Sequence, residues 1–378
     1  MTSYAVVAIT KHGAAIARKL GQALPNADVY IKRQHQQEEA EIGQTANQAD
    51  ELEGDQHGDH AEESIRFFDG SVGMLLPTIF SAYKGLILIF SLGAVVRLIA
   101  PHLTDKKHDP AVVVVDEQGQ HAISVLSGHL GGANELTLKV AELLQAHPVI
   151  TTASDLQQTI AVDLLGREFG WRWDSPEHLT AVSATVVNGK QVAIVQESGE
   201  KGWWPKDRTL PANLTCYESI TEAIQSKPEA ALLITHRMLE TDEQSLLNKG
   251  VLYRPKVIVL GIGCNRGTSC EEIETVITET LAELKFSLAS VKAICTIELK
   301  KDEVGLLETA RKHDWEFVWF TADELNTVTL MQPSDTVKKH TGAYGVSEPA
   351  AKLYSGATKL ALVKKKSGNV TISVAVIP

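Results

Sequence analysis

The chain has 378 residues, 44% of them apolar and 22% charged, with a formal net charge of −11. That length exceeds one typical core and suits two or three α/β domains, and the composition is that of an ordinary soluble globular protein with no support for nucleic-acid binding. Cys216, Cys264, Cys270 and Cys295 are scattered, without Cys-x-x-Cys pairs, which argues against a disulfide framework or a zinc ribbon.

"MTSYAVVAIT" lacks a basic segment followed by a long apolar core, so no secretory signal is expected. Residues 4–10 read as a strand and 14–24 as a helix, with Ile16, Leu20 and Leu24 at helical spacing. Residues 35–63 hold ten Asp and Glu and no Lys or Arg, and few large apolar residues, so they are expected to form a flexible acidic insertion. Subtracting those ten charges from −11 leaves −1, so the folded body is near neutral. The longest apolar stretch, 85–100, is interrupted by Ser91, Gly93 and Arg97 and is too short to span a bilayer. We expect no membrane partner and a cytoplasmic location.

Residues 86–90 are a strand candidate and 93–99 a helix. Two short strands at 111–116 and 122–126 precede a glycine turn at 127–132 and a helix from about Ala133, with Leu136, Val140, Leu143 and Leu144 on one face. A strand at 148–152 runs into "TTASD". These elements make an N-terminal α/β domain over 1–150. The middle domain, 151–250, reads as smaller, with a hairpin turning at Asn188-Gly189, a strand at 231–235 and a linker at 249–256. The C-terminal domain, 251–378, restarts with a strand at 257–261, a second glycine turn and a helix bearing Ile273, Ile277, Leu281 and Leu284. A hairpin around "KSGN" closes it. The expected fold class is α/β: several domains of strand–glycine turn–helix units, with open, mostly parallel sheets in the N-terminal part and a separate α/β C-terminal domain.

Both glycine turns, "VLSGHLGGANEL" and "VLGIGCNRGTSCEE", place N–H-rich backbone at a helix start, which attracts anions. Tight packing would also explain the glycines. Neither turn has the G-x-x-x-x-G-K-[ST] pattern. Cys264 and Cys270 flank the second turn, where two small residues in a crowded turn are expected rather than a metal site. Ser127 and His129 are close, but the absence of a G-x-S-x-G elbow argues against a serine nucleophile. His129 is a candidate acid or base, and a ring that only fixes the turn is the alternative. Arg97 and Lys106 are basic groups near strand–helix ends. Asp109 precedes Pro110 at a strand start. Thr151, Thr152 and Asp155 follow a strand end, where open α/β sheets bind ligands, although Asp155 could equally be an N-cap. Arg266, Thr268, Lys300, Glu303 and Glu348 stand out in the last domain.

Taken together, these segments resemble the CbiG family of cobalt-precorrin-5A hydrolases. The match is carried by the ordered run G-x-x-x-R…AP…K-x-x-DPAVVVVDE-x-G…LSGHLGGAN-E-L…TTASD over residues 93–155, and by "VLGIGCNRGTS", "TIELKKDEVGL" and "GAYGVSEPAA" downstream; "AVDLL" and "LLITHR" match more loosely. Ala94 and Glu298 depart from the family pattern. The resemblance implies hydrolysis of the ring-A δ-lactone of a cobalt corrinoid, with acetaldehyde leaving. It implies no cofactor of the protein's own, since the cobalt arrives with the substrate, and transient contact with neighbouring pathway enzymes. Water activation then falls to His129, Asp109, Asp155 or Glu348. The substrate-binding set is Gly93, Arg97, Lys106, Ser127, Gly128, Gly131, Gly132, Asn134, Thr151 and Thr152, with Gly263, Arg266, Gly267 and Thr268 in the last domain. A tetrapyrrole-binding or carrier module without hydrolytic activity is the alternative, since it would use the same anion-binding turns.

Overall fold

The computed structural model describes residues 3–35, 65–105, 108–330 and 332–378. Residues 36–63 of the expected insertion and Lys106 lie outside the described residues. The chain divides into two compact units, 1–164 and 165–378.

The first unit is one seven-stranded sheet. Its strands are β1 (Tyr4–Ala8), β2 (Ala27–Lys32), β3 (Ile65–Phe68), β4 (Gly85–Ile89), β5 (Ala111–Val115), β6 (His121–Leu126) and β7 (His147–Val149), in spatial order β3-β2-β1-β4-β5-β6-β7. All neighbours are parallel except β5 and β6. Both faces are covered, which is why β1, β4 and β5 are apolar at every position. Ala5, Val7, Leu86, Leu88, Val112 and Val114 enter one core. Val6, Ala8, Ile87, Ile89, Val113 and Val115 enter the other. Thr10 starts the helix Lys11–Ala23 by accepting from the Gly13 N–H at 3.1 Å.

The second unit carries two sheets. In the first, β8 (Arg172–Trp173), β9 (Val192–Gln196), β10 (Leu214–Tyr217), β11 (Ala230–Ile234) and β12 (Gly250–Arg254) lie in the order β10-β9-β11-β12-β8. Two expectations are corrected here. The stretch before Asn188-Gly189 is not a hairpin arm but the helix Leu179–Val187. Gly189, at φ +67°, stops that helix, and β9 pairs in parallel with β10 and β11. The β-branched residues of this helix have strand propensity, but Leu179, Val182 and Val186 meet the core at helical spacing. The expected linker at 249–256 contains β12, buried along its whole length and in parallel register with β11.

The last sheet holds β13 (Ile258–Cys264), β14 (Val291–Ile297), β15 (Glu316–Phe320), β16 (Leu362–Ser367) and β17 (Val370–Val376), in the order β15-β14-β13-β17-β16. β13, β14 and β15 are parallel, and β16–β17 is an antiparallel hairpin. No helix among the described residues is long and apolar enough to cross a membrane.

Candidate active site

Antiparallel β6 decides where the first glycine turn lies. Leu126, at the carboxyl end of β6, pairs with Val112 near the start of β5. β7 runs parallel to β6, so the turn after β6 and the "TTASD" loop after β7 meet at one edge of the sheet. Gly93 follows β4, whose carboxyl end lies at the opposite edge. Arg97 is exposed and donates to the Gly93 carbonyl of its own helix at 3.1 Å, so its charge needs no buried partner.

The glycines of the turn are forced by contact. A Cβ on Gly131 would sit 2.3 Å from the Ser127 Cβ, and one on Gly128 would sit 2.8 Å from Asn134 Oδ1. Gly132 takes φ +84° at the helix start. The amides of Gly132, Ala133 and Asn134 donate to the carbonyls of His129, Ser127 and Gly128. These first helical amides are therefore spent within the turn and not presented to an anion. Ser127, at φ +56°, donates its hydroxyl to the Asp109 carbonyl at 3.0 Å. Asp109 is buried, and its Oδ1 accepts from the Thr104 amide and hydroxyl at 2.9 and 2.8 Å.

Three side chains converge beside the turn. His129 Nε2 lies 2.9 Å from Asp155 Oδ2, and Nδ1 lies 3.2 Å from Asp163 Oδ1. Ser154 Oγ also approaches Nε2, at 3.0 Å. The His129 and Asp163 side chains are each 17% exposed, that of Asp155 45%. The Asp163 carboxylate raises the His129 pKa above its ordinary value; burial opposes this, and Asp155 adds to it. Both ring nitrogens thus serve carboxylates, which favours the imidazolium. Asn134 is buried and holds the same oxygen of Asp155. Its Nδ2 donates to Asp155 Oδ2 at 2.9 Å and to Thr152 Oγ1 at 2.8 Å, while its Oδ1 accepts from the Ser124 hydroxyl at 2.7 Å. The Oδ1 of Asp155 takes no hydrogen bond among the described residues. Thr151 is exposed at the same loop.

Asp163 and Ser154 were not singled out from the sequence. A signal for Asp163 exists in "AVDLL": an acid among apolar residues, between buried Val162 and Leu165, needs a partner.

The second glycine turn supplies its own anion. Glu303 is buried, and its carboxylate accepts from the Gly267 amide at 2.7 Å and from Lys300 at 3.0 Å. Burial alone would raise the Glu303 pKa, but Lys300 and the Gly267 amide outweigh it and hold it below the ordinary range. Arg266 pairs with Asp302 at 2.7 Å, and Thr268 donates its hydroxyl to the Asn265 carbonyl at 2.8 Å. Cys270 accepts from the Thr309 hydroxyl. Glu348 is buried and paired with Lys352 at 2.7 Å. Gly263 and Arg266 line a cleft of about 690 Å³ at the carboxyl ends of β13 and β14, together with Cys264, Lys300, Lys364 and Lys366. The two β16 lysines were also missed, although "VKKKS" displays them.

The fold and site are those of a covered α/β protein that holds a histidine between two carboxylates at the ends of its strands. Three family models match in succession: "Cobalamin synthesis G N-terminal" over 74–155, "Cobalamin biosynthesis central region" over 160–255 and "Cobalamin synthesis G C-terminus" over 258–375. The chain is 61% identical over 375 residues to a cobalt-precorrin-5A hydrolase of Priestia megaterium, covering 99% of this chain and 95% of that one. It is 35% identical over 319 residues to a cobalt-precorrin-5A hydrolase of Salmonella typhimurium, covering 83% of this chain and 88% of that one. The crystal structure of CobE, a protein from the cobalamin biosynthetic pathway, aligns with 33% of this chain and 92% of its own at 29% identity and a TM-score of 0.31. The chain belongs to the cobalamin synthesis G (CbiG) family.

Proposed function

We propose that this protein is a cobalt-precorrin-5A hydrolase of cobalamin biosynthesis, and that Asp155 is the group that takes the proton from the attacking water. The observation that carries the activity is the 61% identity, over nearly the full length, to the Priestia megaterium enzyme. The geometry of the His129 cluster supports the residue roles.

The overall reaction consumes one water. Its oxygen adds to the lactone carbonyl carbon, the ring C–O bond breaks, and the acyl side becomes a carboxylic acid. The freed oxygen stays on the departing two-carbon unit. As the carbon–carbon bond to the macrocycle breaks, that carbon becomes the aldehyde carbon of acetaldehyde. The electron pair left on the macrocycle is taken up by a proton. Cobalt enters and leaves with the corrinoid.

Asp155 fits the first step because Asn134 and His129 hold one carboxylate oxygen and leave the other for water. His129 faces a carboxylate with each ring nitrogen and leaves neither for the water. It shares its proton with Asp155 and Asp163 and so stabilises the cluster as it gains and returns a proton. The exposed Thr151, on the same loop, remains a proposed contact for the substrate's polar periphery.

The test is anaerobic incubation with cobalt-precorrin-5A, with trapping of acetaldehyde. Wild type should release one acetaldehyde per corrinoid. Asp155→Asn should fold and bind corrinoid but lose roughly 10²–10⁴-fold in turnover. Binding by wild type with no aldehyde would support the carrier reading instead, and full turnover by Asp155→Asn would remove Asp155 from the chemistry.

A further inference from the structure

The cleft of the last sheet is built wholly from residues of the second unit and contains none of the His129 cluster. No carboxylate lines it, in a chain whose net charge is −11, yet four cations do: Arg266, Lys300, Lys364 and Lys366. Two of them are already compensated, Arg266 by Asp302 at 2.7 Å and Lys300 by Glu303 at 3.0 Å. Lys364 and Lys366 make no ion pair with any described residue. Lys365, between them, pairs with Glu283 at 2.7 Å and does not line the cleft. The hairpin therefore spends one lysine on the protein and turns two unneutralised ammonium groups, two residues apart, into the same space. Like charges at that spacing repel, and an anion in the cleft relieves the repulsion.

The opposite character lies alongside. Ile297, Leu299, Val337 and Val346 give the cleft an apolar wall, and Leu299 is 53% exposed. A volume of about 690 Å³ is that of a small-molecule or cofactor site. An apolar wall with a lysine rim suits a ligand with a broad apolar body and carboxylates at its edge. Inorganic phosphate would leave the apolar wall unused.

We propose that this cleft binds the peripheral carboxylates of a cobalt corrinoid, with Lys364 and Lys366 as the charge-selecting residues. The identity of the ligand class rests on the proposed function; the requirement for a polycarboxylate with an apolar body rests on the cleft alone.

Cobyrinic acid, a stable cobalt corrinoid polyacid, serves as the probe, titrated into the full-length protein by calorimetry. Wild type should bind it, and more weakly at high salt. The exposed double variant Lys364→Gln/Lys366→Gln should bind at least about tenfold more weakly and lose most of the salt dependence. Lys365→Gln, which removes the same charge from the same strand, should bind as wild type. The heptamethyl ester of cobyrinic acid should bind wild type no better than it binds the double variant. Equal affinity of wild type and double variant for cobyrinic acid, or an equal loss in Lys365→Gln, overturns the proposal. Acetaldehyde release is measured separately. Release by wild type together with unchanged binding by the double variant defeats the cleft proposal alone. Absence of release with binding lost in the double variant defeats the functional reading and leaves the cleft standing.

Discussion

Asp163→Asn is the most informative single change. The amide has the shape of the carboxylate, and its oxygen still accepts from His129 Nδ1, so the ring keeps its orientation. What is lost is one negative charge, 3.2 Å from Nδ1 at a position 17% exposed. A hydrogen bond between charged partners is worth about 1.5–3 kcal/mol net, and partial exposure places this one toward the lower end. If that energy is lost from proton uptake by the cluster, turnover should fall about 10- to 100-fold. The stability effect has a definite sign. Asp163 is the first cause of the raised His129 pKa, ahead of opposing burial and the help of Asp155. A histidine raised on folding stabilises fully below its unfolded pKa, and the contribution is lost as pH rises through the folded value. The wild-type advantage over Asp163→Asn should therefore be largest in mildly acidic buffer and shrink toward alkaline pH. Acetaldehyde release across pH and urea denaturation at several pH values read both quantities. Unchanged turnover with an unchanged pH profile would refute the charge argument. A stability loss that persists undiminished at alkaline pH would show that Asp163 acts through packing.

Glu303→Gln should destabilise the protein by about 1–3 kcal/mol at neutral pH, because the buried carboxylate closes the second glycine turn through Gly267 and Lys300. Its folded pKa is depressed, so its contribution is present above the unfolded value and lost as pH falls through the folded one; denaturation curves in acid should converge, and a constant gap would contradict this account. Gly131→Ala forces a methyl to within 2.3 Å of the Ser127 Cβ and 2.8 Å of its carbonyl oxygen, and should cost about 1–3 kcal/mol by thermal or urea denaturation. A cost under about 0.5 kcal/mol would mean that the turn yields easily.

Much of the architecture was legible locally. The apolar runs of β1, β4 and β5 announced strands, and the folded sheet buries them on both faces. The ordered motifs from Gly93 to Asp155 carried the family, because such a string is specific even where no single motif is. His129 and Asp155 were legible as polar groups at strand ends. The reading failed where local propensity and tertiary packing disagreed. "AVSATVVNG" has β-branched residues and a turn signal, yet Leu179, Val182 and Val186 bury one helical face and Gly189 ends the helix. Residues 249–256, with their glycine and proline, read as a linker, yet β11 recruits 250–254 as a buried partner.

The sequence by itself determined which residues are present at strand ends and which turns demand glycine, since those follow from periodicity and backbone sterics. It could not determine the direction of a strand, because direction is set by hydrogen bonds to a partner distant in sequence. The antiparallel pairing of β6 with β5 sets Gly93 and the His129 turn at opposite edges of one sheet, although they read as parts of one motif string. Only the folded chain carries Asp163 back to His129, across 34 residues. That approach turns a lone histidine into one clamped between two carboxylates.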